Sequence, residues 1–182
     1  VALKHFSEHK KVDKAQKAIM MVGLATERIT VPEGCNIIFG QAHFIRTAEH
    51  LYSALVESVP GIKFGLAFAE ASGDCLIRVE GTDEALKEVA GRELARIGAG
   101  HTFLIVLSNA FPINVLNAVK HTSEVAGIYC ATANPVEVIL AQTSQGRGVL
   151  GVVDGSSSKG IEQPGDVAKR REFLKKIGYT PK

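Results

Sequence analysis

Between Val125 and Gly155 the chain reads VAGIYCATANPVEVILAQTSQGRGVLGVVDG, three apolar, β-rich runs parted only by turn signals at Asn134-Pro135 and around Gly146. No stretch between them is long enough for a helix. The same succession occurs at Ser72-Gly73, where IKFGLAFAE turns directly into CLIRVEG. Strands that follow one another this way exclude strict alternation of strand and helix, because parallel neighbours need a crossover of a dozen or more residues. The class is therefore α+β (mixed α/β), a single domain with helices packed on a mixed β-sheet.

The remaining elements fit that frame. RITV and NIIFG read as strands around the turn PEGC, and HTFLIVLS as another. Arg46 to Val59 reads as a helix with Thr47 as N-cap, ended by Pro60-Gly61. Thr82 is the expected cap of a second helix, Asp83 to Ile97, closed by Gly98 and Gly100. Pro112 suits the start of a short helix, PINVLNAVK. A polar loop, DGSSSKGIEQPGD, leads to a final basic helix from Asp166 to Ile177. In IKFGLAFAE, the period of two puts Phe64, Leu66, Phe68 and Glu70 on one face.

Several function classes are excluded by composition. A net charge of +2 supplies no basic field for nucleic acid, and 6% aromatics without Trp supply no stacking surface for single strands. No apolar run approaches the roughly 20 residues that span a bilayer. Cys35, Cys75 and Cys130 are odd in number and lack metal-ligand spacing. They read as buried thiols of a cytoplasmic protein, and no metal site is expected. Residues 1–25 are charged throughout apart from the stripe Val12, Ala15, Ala18, Ile19 and Val22. They read as an N-terminal extension forming a peripheral helix, with the domain at 26–182.

Gly146, Gly148 and Gly151 in GRGVLGVV satisfy the dinucleotide fingerprint G-x-G-x-x-G. That fingerprint works only where a helix follows, so that its N-terminus meets the pyrophosphate. Here Val149 to Val153 continue as a strand, and the Rossmann reading fails. With Val153 the pattern also matches a protein-kinase glycine loop, but the chain has no HRD or DFG segment and is too short for that fold. What remains is a hairpin whose glycines admit close approach, beside the cation Arg147.

Polar residues stand at unusual places. Gln41 and His43 lie between a strand end and a helix start, where loops supply catalytic groups and anion-binding amides. His101 follows GAG at a strand start. Lys63 begins a strand and Glu70 ends it. Asn114, Asn117 and His121 share one side of the short helix, while Asn134 and Asp154 cap strand ends.

Taken in order, GQAHFIRT, GIKFGLAFAEASG, GAGH, FPINVLNAV, CATANPVEVI and GRGVLGVVDG resemble the adenosine-specific kinase family, from about Arg28 to Tyr179. The sequence departs from the family at Ala69, where a Cys usually precedes EASG, and in GSSSKGIE, which lacks a Pro. The resemblance implies a cytoplasmic homo-oligomer, a trimer, that binds adenosine or AMP. It implies phosphoryl transfer with ATP or another phosphate donor, with Mg²⁺ as a companion ion. The alternative is a non-catalytic sensor of adenine nucleotides. Neither nucleic acid nor membrane is an expected partner.

On this reading Lys63 and Arg147 hold phosphate, and Glu70 or Asp154 takes a ribose proton or holds Mg²⁺. His43 is a general base or phosphoryl acceptor. Gln41, His101, Asn114, Asn117, Asn134 and Gly148 complete the binding set, the amides fixing base or ribose through paired hydrogen bonds.

Overall fold

The structure is a computed structural model and describes residues 22–180, so most of the expected N-terminal stripe lies outside the described residues. Twelve elements follow in chain order: β1 (Gly23–Ile29), β2 (Asn36–Ala42), α1 (Thr47–Ser58), β3 (Phe64–Ala69), β4 (Ile77–Gly81) and α2 (Glu84–Ile97). Then come β5 (Thr102–Leu107), α3 (Pro112–His121), β6 (Val125–Thr132), β7 (Val136–Gln142), β8 (Arg147–Asp154) and α4 (Pro164–Lys176).

The α+β class is as expected. Within it the strands form two sheets, β4-β3-β5-β2-β6 and β1-β7-β8, and every strand pair is antiparallel. The expected mixed sheet does not arise, because no helix joins two neighbouring parallel strands.

The five-stranded sheet is the middle of three layers, and period two decides what each face meets. Ile38, Leu66, Phe68, Phe103 and Ile105 face α1 and α3, packing against Leu51, Leu55, Val115 and Val119. Ile37, Phe39, Ala67, Leu104 and Val106 face the other way, onto Leu86, Ala90 and Leu94 of α2 and Val136, Val138 and Leu140 of β7. All six residues of β3 and all six of β5 are buried, as strands covered on both faces must be. The β3–α2 contact is close. A Cβ on Gly65 would lie 2.1 Å from the Leu86 carbonyl carbon and oxygen, so only glycine fits there.

Local chemistry shifts several boundaries. Strand β1 begins at Gly23 rather than Arg28 because its whole length pairs with β7, from Gly23 opposite Gln142 to Ile29 opposite Val136. Asp83, not Thr82, caps α2, its carboxylate accepting from the Leu86 amide. The Thr82 hydroxyl donates to the Ile62 carbonyl and accepts from the Phe64 amide. Thr47 is the first residue of α1, after the N-cap Arg46, and its hydroxyl donates to the Phe44 carbonyl at 2.6 Å. Gly98 ends α2 in the left-handed region, as expected.

Cys35 and Cys130 are buried, and burial chiefly, with the Asp154 charge, pushes the Cys130 thiol up to about 11. The expectation of a third buried thiol is corrected. Cys75 is exposed, because the β3–β4 turn that carries it projects from the sheet at φ +51°. Helix α4 has no buried residue.

Candidate functional site

The antiparallel register defines two ends of the central sheet. The lower end holds the starts of β2 and β3 and the finishes of β4, β5 and β6. The upper end holds the finishes of β2 and β3 and the starts of β4, β5 and β6. A seven-residue strand such as β2 separates them by about 20 Å.

At the lower end stand Lys63, Asn114, Asn134 and Asp154. Lys63 donates its amide to the Asn109 side chain at 2.6 Å. Asn114 accepts from the Phe111 amide, closing the first turn of α3. Asn134 donates to Asp154 at 3.1 Å, tying the finish of β6 to the finish of β8. Asn117 is exposed midway along α3.

At the upper end stand Gln41, His43, Glu70, His101, Arg147 and Gly148. The Ala42 amide donates to the His101 carbonyl, and the His101 amide donates to the Ala69 carbonyl, so β2, β3 and β5 are stitched together at His101. His101 is held at φ +59°, a left-handed conformation unusual for a residue with a Cβ, and its ring stacks on buried Phe68 with centroids 6.0 Å apart. Pairing of β2 with β6 shifts register twice in this region, between Phe39 and Gly40 and between Gln41 and Ala42. Such bulges re-aim side chains. Gln41 accepts from the Tyr129 hydroxyl at 3.3 Å. Glu70 accepts from Arg78 at 2.8 Å.

Arg147 also lies at this end, linked to Ala99 by an isolated bridge. Its guanidinium donates to the Arg96 and Ile97 carbonyls at 2.8 and 3.2 Å and to Gln142 at 2.8 Å. A cation on the last carbonyls of a helix offsets the negative end of its dipole. Arg147 thus braces α2, and a phosphate would have to displace those contacts. Gly146, at φ +156°, makes the turn that presents it. A Cβ on Gly148 or Gly151 would meet nothing within 4 Å, so no close approach inside the chain requires glycine there.

Sequence reasoning missed the most constrained polar group at this end. Glu124, just before β6, has a side chain only 3% exposed. It pairs with His50 Nδ1 at 3.0 Å and with Arg46 at 3.4 Å, and its main-chain carbonyl accepts from the His43 amide at 3.0 Å. Burial pushes the carboxyl up, but its backbone hydrogen bond, the His50 bond and the charges of His50 and Arg46 outweigh this and hold it below its ordinary value. Arg46 and His50 stand i, i+4 on α1, a spacing that puts both on one face. That spacing was the one signal available in the sequence.

Among the described residues, no group of three or more His, Cys, Asp or Glu side chains could hold a metal ion. No helix there is long and apolar enough to cross a membrane.

The comparisons with known proteins agree on what this architecture is. A model of the family described as adenosine specific kinase matches residues 28–180. The chain belongs to the adenosine specific kinase family. It is also similar to the crystal structure of the PH1918 protein from Pyrococcus horikoshii OT3, with 46% identity and a TM-score of 0.85, covering 89% of this chain and 100% of that one. No curated protein matches the chain. The family match spans every element from the last two residues of β1 to α4, so both ends of the sheet belong to the family domain.

Proposed function

We propose that this adenosine specific kinase family member transfers a phosphoryl group between a nucleoside triphosphate such as ATP and adenosine or AMP, at the upper end of the central sheet. The observation that carries the location is the left-handed His101. A non-glycine residue in that conformation marks over-determined backbone of the kind found at ligand sites. It is stitched between the segments that carry Gln41, His43 and Glu70. Phosphoryl transfer needs positioning and charge neutralisation more than covalent chemistry. Arg46 and Arg78 supply positive charge at this end, their side chains 60% and 38% exposed. Lys63 lies at the opposite end and is not part of the proposed site.

Gln41 has the donor and acceptor needed to read an adenine edge, with Tyr129 fixing its carbonyl oxygen. We further propose a cytoplasmic homo-oligomer, a trimer. Leu24, Leu150 and Val153 on the three-stranded sheet, 74%, 62% and 46% exposed, give it an apolar contact surface.

The test incubates the full chain with ATP and either adenosine, AMP or guanosine, following product by ³¹P NMR and binding by calorimetry. Transfer to adenosine or AMP, with guanosine bound at least about 100-fold more weakly, is expected. Tight adenosine binding without transfer would instead make the protein a sensor, and equal binding of guanosine would contradict the adenine reading.

A further inference from the structure

The upper end carries four histidines, His43, His50, His101 and, at the close of α3, His121, and they differ in what holds them. Among the described residues, the side chains of His43 and His101 have no hydrogen-bond partner, His101 being held by stacking alone. His50 alone has a carboxylate on its ring. The Glu124 oxygens lie 3.0 and 3.1 Å from Nδ1. The carboxylate is buried, while the imidazole is 41% exposed at the boundary with solvent. An ionised carboxylate only accepts, so Nδ1 carries the hydrogen and the lone pair of neutral His50 is on Nε2, across the ring from Glu124. A buried acid that fixes the tautomer of an imidazole facing outward is the arrangement by which proteins make a histidine a directed base.

Resting on the phosphoryl-transfer reading above, we propose that His50 Nε2 is the proton acceptor for the hydroxyl that is phosphorylated, with Glu124 as its positioning residue. The nucleoside hydroxyl oxygen bonds to the terminal phosphorus of the triphosphate as its proton passes to Nε2. The bridging P–O bond breaks, and the nucleoside diphosphate leaves with that electron pair. His50 then returns the proton to solvent. Glu124 stabilises the imidazolium and remains ionised throughout. Arg46 holds the second flank of the carboxylate at 3.4 Å, and the His43 amide fixes the main chain behind it. The other titratable groups nearby are Lys120 and His121, which close α3 just before Glu124, and His43 itself.

The test measures ATP-dependent phosphorylation of adenosine by the full-length protein across pH, for wild type, His50→Gln and Glu124→Gln, with thermal melting of each. His50→Gln should lower kcat at least about 100-fold with little change in the KM for adenosine, and should abolish the acid limb of the kcat profile. Glu124→Gln should lower kcat with little change in the KM for adenosine, because the imidazole loses the carboxylate that fixes its tautomer. In wild-type protein, ¹⁵N shifts of the His50 ring should report the Nδ1–H tautomer, titrating with the acid limb; this readout needs no variant to fold.

A wild-type kcat and acid limb in His50→Gln would overturn the role of His50 while leaving the kinase reading standing. So would an Nε2–H tautomer, or a Glu124→Gln kcat changed only in step with folding. Absence of transfer by wild type would overturn the kinase reading and, with it, this role.

Discussion

At the lower end of the five-stranded sheet, Asn36, Thr82 and Asn109 each hydrogen-bond to the main chain of a neighbouring segment, Asn114 to the main chain at the start of its own helix, and Asn134 to the side chain of Asp154. At the upper end Glu70, Arg78, Arg46, His50 and Glu124 bond side chain to side chain, and His101, between the strands, and Cys75, in the β3–β4 turn, are held in a left-handed backbone. The same strands run through both ends, so the difference is one of use. Side chains spent on main-chain donors and acceptors fix loops and have little left to offer a ligand. The exposed arginines of these pairs, Arg46 and Arg78, can exchange partners with an incoming anion. On the proposed reading the lower end closes the sheet and the upper end holds the site.

The largest expected effect falls on the lower half of the β3–α2 contact. In Gly65→Ala the new methyl meets the Leu86 main chain, which cannot rotate away as a side chain could. A loss of at least about 3 kcal/mol is expected from denaturant unfolding, with the adenosine affinity of the folded fraction unchanged. A smaller loss that came with lost affinity would break the comparison.

At the upper end, Glu124→Gln should cost about 2 kcal/mol at neutral pH, the scale of hydrogen bonds to a charged group. The folded carboxyl is held below its ordinary value, so its stabilisation is fully present above the unfolded value and is lost as pH falls through the folded one. The gap between wild type and variant, read by melting from neutral to acid pH, should therefore close on the acid side. A gap independent of pH would contradict the ionised pair. Smallest is Asn109→Ala, which leaves the Lys63 amide and the Gly61 carbonyl without their partner. It should cost about 1 kcal/mol and leave adenosine binding as it was.

Much of this contrast was legible in the sequence. The turn signals at Gly73, Pro135 and Gly146 placed five strands and excluded alternation with helices, and Pro112 and Gly98 marked real helix ends. Pairing was not legible. That β7 leaves the central sheet to join β1 and β8 depends on which apolar face meets which, and period two alone does not say. Of the candidate site, position along the elements was legible: Gln41, His43, Glu70, His101, Lys63, Asn134 and Asp154 stood out because each sits where a strand meets a loop, and Asn114 because it shares a helix side with Asn117. Which of them come together was not: the first four lie at one end of the sheet and Lys63, Asn114, Asn134 and Asp154 about 20 Å away at the other, since local pattern does not reveal which end of an antiparallel sheet a residue occupies. In the sequence Glu124 is one acid in the loop between α3 and β6 and His50 one polar residue of α1, and nothing local pairs them. Only tertiary packing buries the one against the other.

The most direct test of the upper-end site is an amide chemical-shift titration of the ¹⁵N-labelled full-length protein with adenosine. The account predicts that the largest shifts fall on Gln41, His43, His50, Glu70 and His101, while Asn109, Asn114 and Asn134 stay in place. Shifts centred on Lys63, Asn114 and Asn134, with the histidine segments unmoved, would contradict it.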